Sequence, residues 1–539
     1  MSFNLNFNFN NPYTTTRIPV FARNVVSTSH PLASSAGLRI RILGGNAVDA
    51  AIAAAAVMTM VEPVSNGLGS DAFALIWDGK ELHGLNASGR APQAWMPEYF
   101  KRKYPGSSTL PKRGMDAVTV PGAVAGWAAM SERFGKLPFA ELMQPAIEIA
   151  ERGYLVTPVV QQKWAAATPE LQGLPGFADS FLPWGRAPNV GELFHFKAAA
   201  NGLRAIAATK GRALYGGEIA EAIVKFSQAN GGSHTLKDFA NYQPEWVKPL
   251  CKNYRGHTLH EIPPNGQGIA ALIAVGILDK FDVASLAVDG VDSQHLQIEA
   301  MKLAFADVYK FVAEPSSMNV TPEQMLDDAY LASRAKLIDM KKAQDFGAGN
   351  PVKGGTIYLS TADEDGIMVS FIQSNYMGFG SGCVEPDYGI SLQNRGHAFS
   401  VDEGINQVAP GKRPFHTIIP AFLSKDGRPV MSYGVMGANM QPQGHMQTLV
   451  RMLDYGQNPQ AACDAPRWRY NAGFEINVEA GMNPATVQAL TERGHRMEVI
   501  NDSYQDFGAG QFIWLAGDAN VEGYVAASDA RRDGQAVGF

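Results

Sequence analysis

Thr356 is the residue of this chain whose position most clearly suggests chemistry, because it follows Gly354 and Gly355 and opens a β-like run that extends to Asp363. A threonine hydroxyl is a weak nucleophile that is activated when its own α-amine acts as the base. Cleavage of the bond before Thr356 would bring such an amine and the hydroxyl together on one residue. The position suggests a self-processing amide hydrolase or acyltransferase, and the rest of the sequence has to support it.

A second segment could stabilise the negative charge that develops during acyl transfer. Gly437 and Ala438 lie between a strand-like run and a helix-like run, and their backbone N–H groups could donate to an oxyanion. From local sequence alone, an ordinary tight turn before a helix explains this segment better.

Other common chemistries lack their motifs. Gly380-Ser381-Gly382 does not have the spacing of a serine hydrolase elbow. No His/Cys cluster occurs at metal-binding spacing, and the glycine-rich segment 67–70 matches neither a Walker nor a dinucleotide pattern. We therefore expect no metal and no cofactor, and a metal-dependent amidase is the remotest alternative.

The composition is that of a globular protein with a large core. The chain has 539 residues, 46% hydrophobic and 18% charged, with a net charge of -6 and no basic block, so a nucleic-acid partner is not expected. Three widely separated cysteines fit a reducing compartment. The longest apolar run, 50–61, is shorter than the roughly twenty residues of a membrane span, and the N-terminus lacks a signal-peptide pattern. We expect a cytoplasmic protein without a membrane partner, with an N-terminal arm over residues 1–24.

Periodicity and turn residues predict the elements that must position these groups. Helices are expected at 50–61, 294–312 and about 443–453, and strands at 73–77, 82–85, 254–264, 356–363 and 367–374. Asp-Gly pairs in the turns at 78–80 and 364–366 indicate two hairpins. Strand hairpins with added helices predict an α+β layered fold.

Several motifs, in a fixed order, carry a family resemblance. From about residue 25 onward the chain resembles the gamma-glutamyltransferase (glutathione hydrolase) family of N-terminal-nucleophile hydrolases, in the divergent branch near the cephalosporin acylases. The motifs that carry this resemblance are segments 44–49, 66–69, 120–126, 254–256 with 263–264, 356–366, 379–382, 412–414, 463–467 and 528–529.

The resemblance implies a four-layer αββα sandwich made as a precursor, or zymogen, with a large-subunit segment 25–355 and a small-subunit segment 356–539 around one shared core. It implies that Thr356 is the nucleophile, that Ser374 is its hydroxyl partner, and that Gly437 and Ala438 form the oxyanion pair. It also implies cleavage of gamma-glutamyl or related acidic acyl amide bonds, as in glutathione, through an acyl-enzyme.

The residues that select the acyl group depart from the family pattern. Ser88 stands where the family has a carboxylate-clamping arginine, with Arg90 two residues on, and Ala398 replaces the aspartate that holds the α-amine. The other substituted positions of the predicted substrate site are Tyr376, Arg395, His416 and Thr417. Because Arg395 and Arg90 could still hold a carboxylate, we expect an acidic acyl group without a strict need for an α-amine, such as a glutaryl amide.

Two alternatives remain at the sequence level. The chain could be a glutaryl- or cephalosporin-type acylase, or it could be a homologue that folds without processing and serves as a binding or scaffold protein. Neither the choice between hydrolysis and transfer nor the oligomeric state, with a homo-oligomer among the options, follows from the sequence.

Overall fold

The structure, a computed structural model, describes residues 17–347, 355–501 and 507–539. The first sixteen residues of the predicted N-terminal arm lie outside the described residues. None of the helices in these three ranges combines the length and the apolar character that a membrane crossing requires.

The described residues contain strands that belong mostly to two large sheets. In chain order they are β1 Val20–Ala22, β2 Val25–Thr28, β3 Asp71–Trp77, β4 Leu82–Ala87, β5 Tyr154–Leu155, β6 Leu193–Phe194, β7 Glu245–Val247, β8 Leu250–Tyr254, β9 His257–Glu261, β10 Gly355–Ala362, β11 Met368–Tyr376, β12 Val384–Glu385, β13 Ile390–Ser391, β14 Ala421–Lys425, β15 Arg428–Met436, β16 Trp468–Tyr470, β17 Glu475–Glu479, β18 Arg496–Ile500, β19 Ala509–Leu515, β20 Tyr524–Ser528 and β21 Gln535–Gly538.

The helices are concentrated in the first two thirds of the chain. In order they are α1 Pro31–Ile42, α2 Ala47–Val61, α3 Pro97–Lys103, α4 Ala123–Phe134, α5 Phe139–Arg152, α6 Pro158–Leu171, α7 Phe177–Phe181, α8 Lys197–Thr209, α9 Arg212–Gly216, α10 Glu218–Ala229, α11 Leu236–Ala240, α12 Ile269–Leu278, α13 Val291–Phe311, α14 Pro322–Met325, α15 Asp328–Ala335, α16 Met440–Leu449, α17 Pro459–Asp464 and α18 Pro484–Glu492.

Two antiparallel sheets of seven strands pack face to face. Sheet I has the order β1-β20-β19-β15-β14-β9-β8, and sheet II has the order β21-β2-β10-β11-β3-β4-β7. The apolar layer between them includes Phe73 and Tyr358 from sheet II and Phe422 and Ile513 from sheet I, all fully buried. Both sheets combine strands from before residue 355 with strands from residue 355 onward.

Helices cover the outer face of each sheet. Helices α2 and α4 lie on sheet II, and α12 and α16 lie on sheet I. Helix α2 is buried along its whole length, and its alanine-rich sequence combines high helix propensity with small side chains. Asn46 caps this helix in a reciprocal capping box with Asp49. The resulting order of layers is helix, sheet, sheet, helix, which confirms the predicted four-layer α+β sandwich.

Most predicted elements are present with small shifts of their ends. The β3–β4 and β10–β11 hairpins are confirmed, as are helices α2 and α13. The strand expected at 254–264 is different, because a tight turn at Arg255 and Gly256, both with positive φ, separates β8 from β9. The helix expected at 443–453 begins earlier, at Met440, and ends in a π-helical turn.

The described end of the predicted arm is part of the body of the protein. Strand β1 lies at the edge of sheet I beside β20, and β2 pairs with β10 and β21 in sheet II. The Arg17 guanidinium donates to the carbonyl oxygens of Asp529 at 2.9 Å and Gly534 at 2.7 Å. The start of the described chain is thus tied to its C-terminal strands.

Candidate active site

A β-bulge aligns two hydroxyl groups at the end of the β10–β11 hairpin. Between two successive backbone pairs, β11 has one more residue than β10, so Thr356 lies opposite both Ser374 and Asn375. A bulge of this kind bends a strand and re-aims the side chains beside it. The result is a contact between Thr356 Oγ1 and Ser374 Oγ at 3.1 Å.

The Ser374 hydroxyl connects Thr356 with the peptide bond that precedes it. Ser374 Oγ donates to the Gly355 carbonyl oxygen at 2.7 Å and accepts the Tyr376 N–H at 2.8 Å. A serine hydroxyl has only one proton, so while Ser374 donates to Gly355 the bond between the two hydroxyls is donated by Thr356. The Thr356 oxygen is therefore held beside the carbonyl group of the Gly355–Thr356 bond.

Arg395 extends this arrangement as a fully buried cation. Its Nη1 donates to Thr417 Oγ1 at 2.9 Å, and its Nη2 lies 3.5 Å from Ser374 Oγ. The guanidinium carbon stacks 4.0 Å from the centroid of the Tyr376 ring. Thr356, Ser374, Arg395 and Thr417 are called the Thr356 network below.

The charge of Arg395 is not balanced by an ion pair within the described residues. The Nε atom of Arg395 has no hydrogen-bond partner among these residues. The charge of Asp71 raises the pKa of Arg395, but the described residues show no hydrogen bond or ion pair between the two side chains. Burial lowers the pKa of Arg395 to about 10, which leaves the group charged near neutral pH. A buried cation without a counter-ion is costly, so this position is suited to an anionic ligand.

Asp71 and His416 form a buried pair behind Ser374. Asp71 begins β3 and is the cross-strand neighbour of Ser374, and its carboxylate lies 3.1 Å from His416 Nε2. The Gly89 N–H donates to the other oxygen at 2.9 Å. His416 Nδ1 accepts the Ile418 N–H at 3.4 Å, so the Nε2 atom carries the proton that faces Asp71.

Burial shifts the titration of both members of this pair. It raises the pKa of Asp71 to about 7, against the opposing effects of Arg395 and of backbone N–H groups. Burial also lowers the pKa of His416 well below its usual range, together with the charges of Arg395 and Arg413. His416 is thus neutral at physiological pH, while Asp71 is close to its midpoint.

Two residues predicted for substrate binding lie outside the Thr356 network. The Ser88 hydroxyl donates to Asn86 Oδ1 at 2.7 Å. Arg90 forms ion pairs with Glu245 at 2.7 Å and Glu314 at 3.3 Å, so its charge is already paired. Their predicted contacts with substrate stay predictions.

Gly437 and Ala438 form the connection between β15 and α16. Their φ values are 121° and 52°, both in the region that favours glycine. Neither N–H donates a hydrogen bond to a described residue. Gln267 Nε2 joins this turn to the Thr356 network, since it donates to the carbonyl oxygens of Ala438 at 2.9 Å and Thr417 at 2.6 Å.

The structure therefore brings most of the predicted site together. The predicted residues that it gathers around Thr356 are Ser374, Tyr376, Arg395 and Thr417, with His416 next to them through Asp71. Sequence reasoning missed Asp71 and Gln267. Asp71 directly follows the glycine-rich segment 67–70, and Gln267 lies three positions after the motif 263–264, and these positions were the available signal.

One buried cluster in the described residues consists of residue types that can bind a metal, but a lysine side chain already forms hydrogen bonds with it. The ligand atoms of His295, Glu299 and His495 lie within 4.8 Å of one another. Lys302 Nζ donates to Glu299 at 2.7 Å and lies 3.4 Å from His495 Nδ1, so a side-chain cation already balances the carboxylate. The cluster is hydrogen-bonded as it stands.

The two stacked antiparallel sheets between helices, with a threonine and a partner hydroxyl at the start of one strand, define an N-terminal-nucleophile hydrolase. A sequence profile of the gamma-glutamyltranspeptidase family matches residues 33–539, so the chain belongs to this family. The family resemblance predicted from the motifs is confirmed, and the chain is an enzyme of the threonine hydrolase and acyltransferase type.

Relatives and solved structures cover nearly the whole chain. It is 36% identical to the glutathione hydrolase-like YwrD proenzyme of Bacillus subtilis strain 168, over 96% of this chain and 98% of the relative. It is also 36% identical to the oxamate amidohydrolase proenzyme of Klebsiella pneumoniae, over 95% of this chain and 97% of the relative. The crystal structure of a cephalosporin acylase from Bacillus halodurans superposes with a TM-score of 0.94 at 47% identity, covering 99% of both chains.

Proposed function

We propose that this protein is a self-processing threonine amidohydrolase or acyltransferase that cleaves amides of acidic acyl groups. The observation that carries the proposal is the paired hydroxyl geometry at the Gly355–Thr356 bond. Ser374 contacts both the Thr356 hydroxyl, at 3.1 Å, and the Gly355 carbonyl oxygen, at 2.7 Å.

Self-cleavage would begin at this bond. The Thr356 oxygen attacks the Gly355 carbonyl carbon while Ser374 donates to the carbonyl oxygen, where negative charge develops. The C–N bond breaks, the Thr356 nitrogen takes a proton, and an ester links the two segments. Water hydrolyses the ester and leaves a fragment that begins at Thr356, with the hydroxyl and a free α-amine on one residue.

The same oxygen would then act on external substrates. The α-amine accepts the hydroxyl proton as Thr356 attacks the amide carbonyl, and the proton passes to the departing nitrogen. The N–H groups of Gly437 and Ala438, which donate to no residue that the structure describes, are assigned to the oxyanion. Water or an amine then attacks the acyl-enzyme ester, which restores the Thr356 hydroxyl.

The acidic acyl group is supported by the unbalanced charge of Arg395. A carboxylate of the substrate would supply the counter-ion that the described residues do not provide. One relative is named for hydrolysis of oxamate, whose acyl group carries a carboxylate, and this agrees with the proposal. Tyr376 and Thr417 orient the guanidinium, and His416 acts through Asp71 as a neutral positioning residue.

Intact mass after expression tests the processing step. Wild-type protein should separate into two fragments, the smaller beginning at Thr356, and Thr356→Ala should remain one chain. Thr491→Ala, on an exposed turn of helix α18, is a matched control that should be cleaved like the wild type. An intact wild type without amidase activity would instead support the non-processing binding homologue.

The proposed cleavage would give two fragments that form one complex. The fragments 1–355 and 356–539 should stay associated, because each of the two sheets contains strands from both. Gel filtration of the cleaved protein would test this association and reveal a homo-oligomer if one forms.

We place the protein in the cytoplasm, on the basis of its three separated cysteines.

A further inference from the structure

We propose that the acyl site selects short, unsubstituted dicarboxylic half-amides, with two to four carbon atoms in the acyl group, over gamma-glutamyl compounds and also over the glutaryl amides expected from the sequence. This inference rests on the proposed function, and it assigns Arg395 as the residue that decides both the charge and the length of the acyl group. Three observations support it.

The first observation is that Arg395 and the attacking oxygen contact the same hydroxyl group. The Arg395 Nη2 atom lies 3.5 Å from Ser374 Oγ, which lies 3.1 Å from Thr356 Oγ1. Arg395 Nη2 is therefore no further from the oxygen that would form the ester than these two lengths together. A carboxylate held by this edge of the guanidinium lies only a few bonds from the ester carbonyl, and each added methylene places it about one bond further away.

The second observation is that the remaining sides of the guanidinium are occupied. Thr417 accepts from Nη1 at 2.9 Å, and the Tyr376 ring covers one face at 4.0 Å. The donors that remain for a ligand are Nε, which has no partner among the described residues, and the edge beside Ser374. Because Arg395 is fully buried, a ligand carboxylate can meet it only at these remaining donors.

The third observation concerns the ammonium of a gamma-glutamyl group. That group carries an α-ammonium next to its α-carboxylate, and the ammonium would have to lie beside the uncompensated Arg395 charge. Like charges at close range in a buried site repel strongly. The nearby Asp71 is already engaged by His416 and Gly89, so an acyl group without an ammonium fits the site better.

The reaction on such a substrate is balanced with water alone. Thr356 displaces ammonia from the half-amide to form the half-ester, and water hydrolyses the half-ester to the free dicarboxylate. No other co-reactant is needed.

Ammonia release from matched amides tests the inference. The series oxamate, malonamate, succinamate and glutaramate varies the length, butyramide removes the carboxylate from succinamate, and L-asparagine and L-glutamine add an α-ammonium to succinamate and glutaramate. We expect the best of the three shorter acids to exceed glutaramate by about tenfold in kcat/KM, and succinamate to exceed butyramide by about 100-fold. Each ammonium should lower kcat/KM by about tenfold or more.

Arg395→Gln tests the assigned residue. In the fraction of this variant that is cleaved at Thr356, the discrimination between succinamate and butyramide should be lost mainly through KM. Arg39→Gln, at an ion pair with Glu148 whose side chains are 48% and 36% exposed, is the control and should keep it. If Arg395→Gln does not fold, inhibition of the wild type by oxalate, malonate, succinate and glutarate replaces it, and glutarate should bind most weakly.

The outcomes separate this inference from the proposed function. A cleaved, active enzyme that prefers glutaramate or L-glutamine, or that treats butyramide like succinamate, would overturn the inference alone. Absence of cleavage at Thr356 together with absence of ammonia from every amide would overturn the proposed function.

Discussion

The Ser374 hydroxyl donates a 2.7 Å hydrogen bond to the carbonyl oxygen of Gly355, the group that must accept negative charge if the chain cuts itself before Thr356. The same hydroxyl lies 3.1 Å from the Thr356 oxygen. One side chain thus contacts both the attacking and the attacked group, and the β-bulge in β11 is what allows it.

Replacing Ser374 should slow self-cleavage more than it alters the fold. Ser374→Ala removes the donor to the Gly355 oxygen, and loss of one such donor costs about 100- to 1,000-fold in rate. Ser374→Thr keeps the hydroxyl and should retain most of the rate. The fraction of cleaved chain against time, followed on a denaturing gel, measures the effect, and wild-type kinetics for Ser374→Ala would argue against this role.

Two small substitutions in the turn at Gly437 and Ala438 should change the stability of the protein in opposite directions. Gly437→Ala places a methyl group at φ 121°, about 3.0 Å from the Gly508 Cα, and should cost about 1–3 kcal/mol with a loss of kcat. Ala438→Gly relieves a left-handed φ of 52° and should gain at most about 1 kcal/mol while keeping activity, because the N–H remains. Thermal unfolding and kcat measured on both variants test this, and equal effects would contradict it.

Asp71 should make the use of acidic substrates depend on pH. As the pH rises through about 7, Asp71 loses its proton and competes with the substrate carboxylate for Arg395, so KM for an acidic amide should increase. The ratio of kcat/KM for succinamate to that for butyramide cancels the titration of the Thr356 amine. This ratio should fall with pH in the wild type and stay flat in Asp71→Asn, and a flat ratio in the wild type would exclude the effect.

The raised pKa of Asp71 also determines how the stability of the protein changes with pH. The folded-state pKa of Asp71 lies above that of the unfolded chain, so between about pH 4 and pH 7 the folded protein holds a proton that the unfolded chain has lost. The contribution of Asp71 to the free energy of unfolding therefore decreases as the pH rises through this window. Asp71→Asn should remove that decrease in unfolding experiments run across the window.

The buried pair of Lys302 and Glu299 should be far more sensitive to loss of one partner than of both. Their side chains lie 2.7 Å apart and are 1% and 0% exposed, and burial raises the pKa of Glu299 and lowers that of Lys302. Lys302→Met leaves a buried carboxylate unpaired and should cost about 3–5 kcal/mol. The double variant with Glu299→Gln should recover much of this loss in calorimetric unfolding, and additive losses would contradict the coupling.

How much of the site could be predicted varied with the kind of signal. Thr356 and Ser374 lie on a hairpin whose turn, at Glu364–Gly366, is indicated by adjacent residues. Short-range sequence patterns therefore predicted both strands. Asp71 precedes its site partner Ser374 by some 300 positions, and only strand pairing in sheet II makes them neighbours. Arg90 looked as suitable for a carboxylate as Arg395, and only the ion pairs with Glu245 and Glu314 separate the two.

The family, the layered fold and the residue proposed to attack could all be predicted from the sequence, because local periodicity, turn residues and ordered motifs are properties of neighbouring positions. Which groups meet at that residue depends on how distant parts of the chain pack together. The bulge opposite Thr356, the unbalanced charge of Arg395 and the partly protonated Asp71 arise from packing between distant strands, where burial, rather than residue type, sets hydrogen bonds and charge.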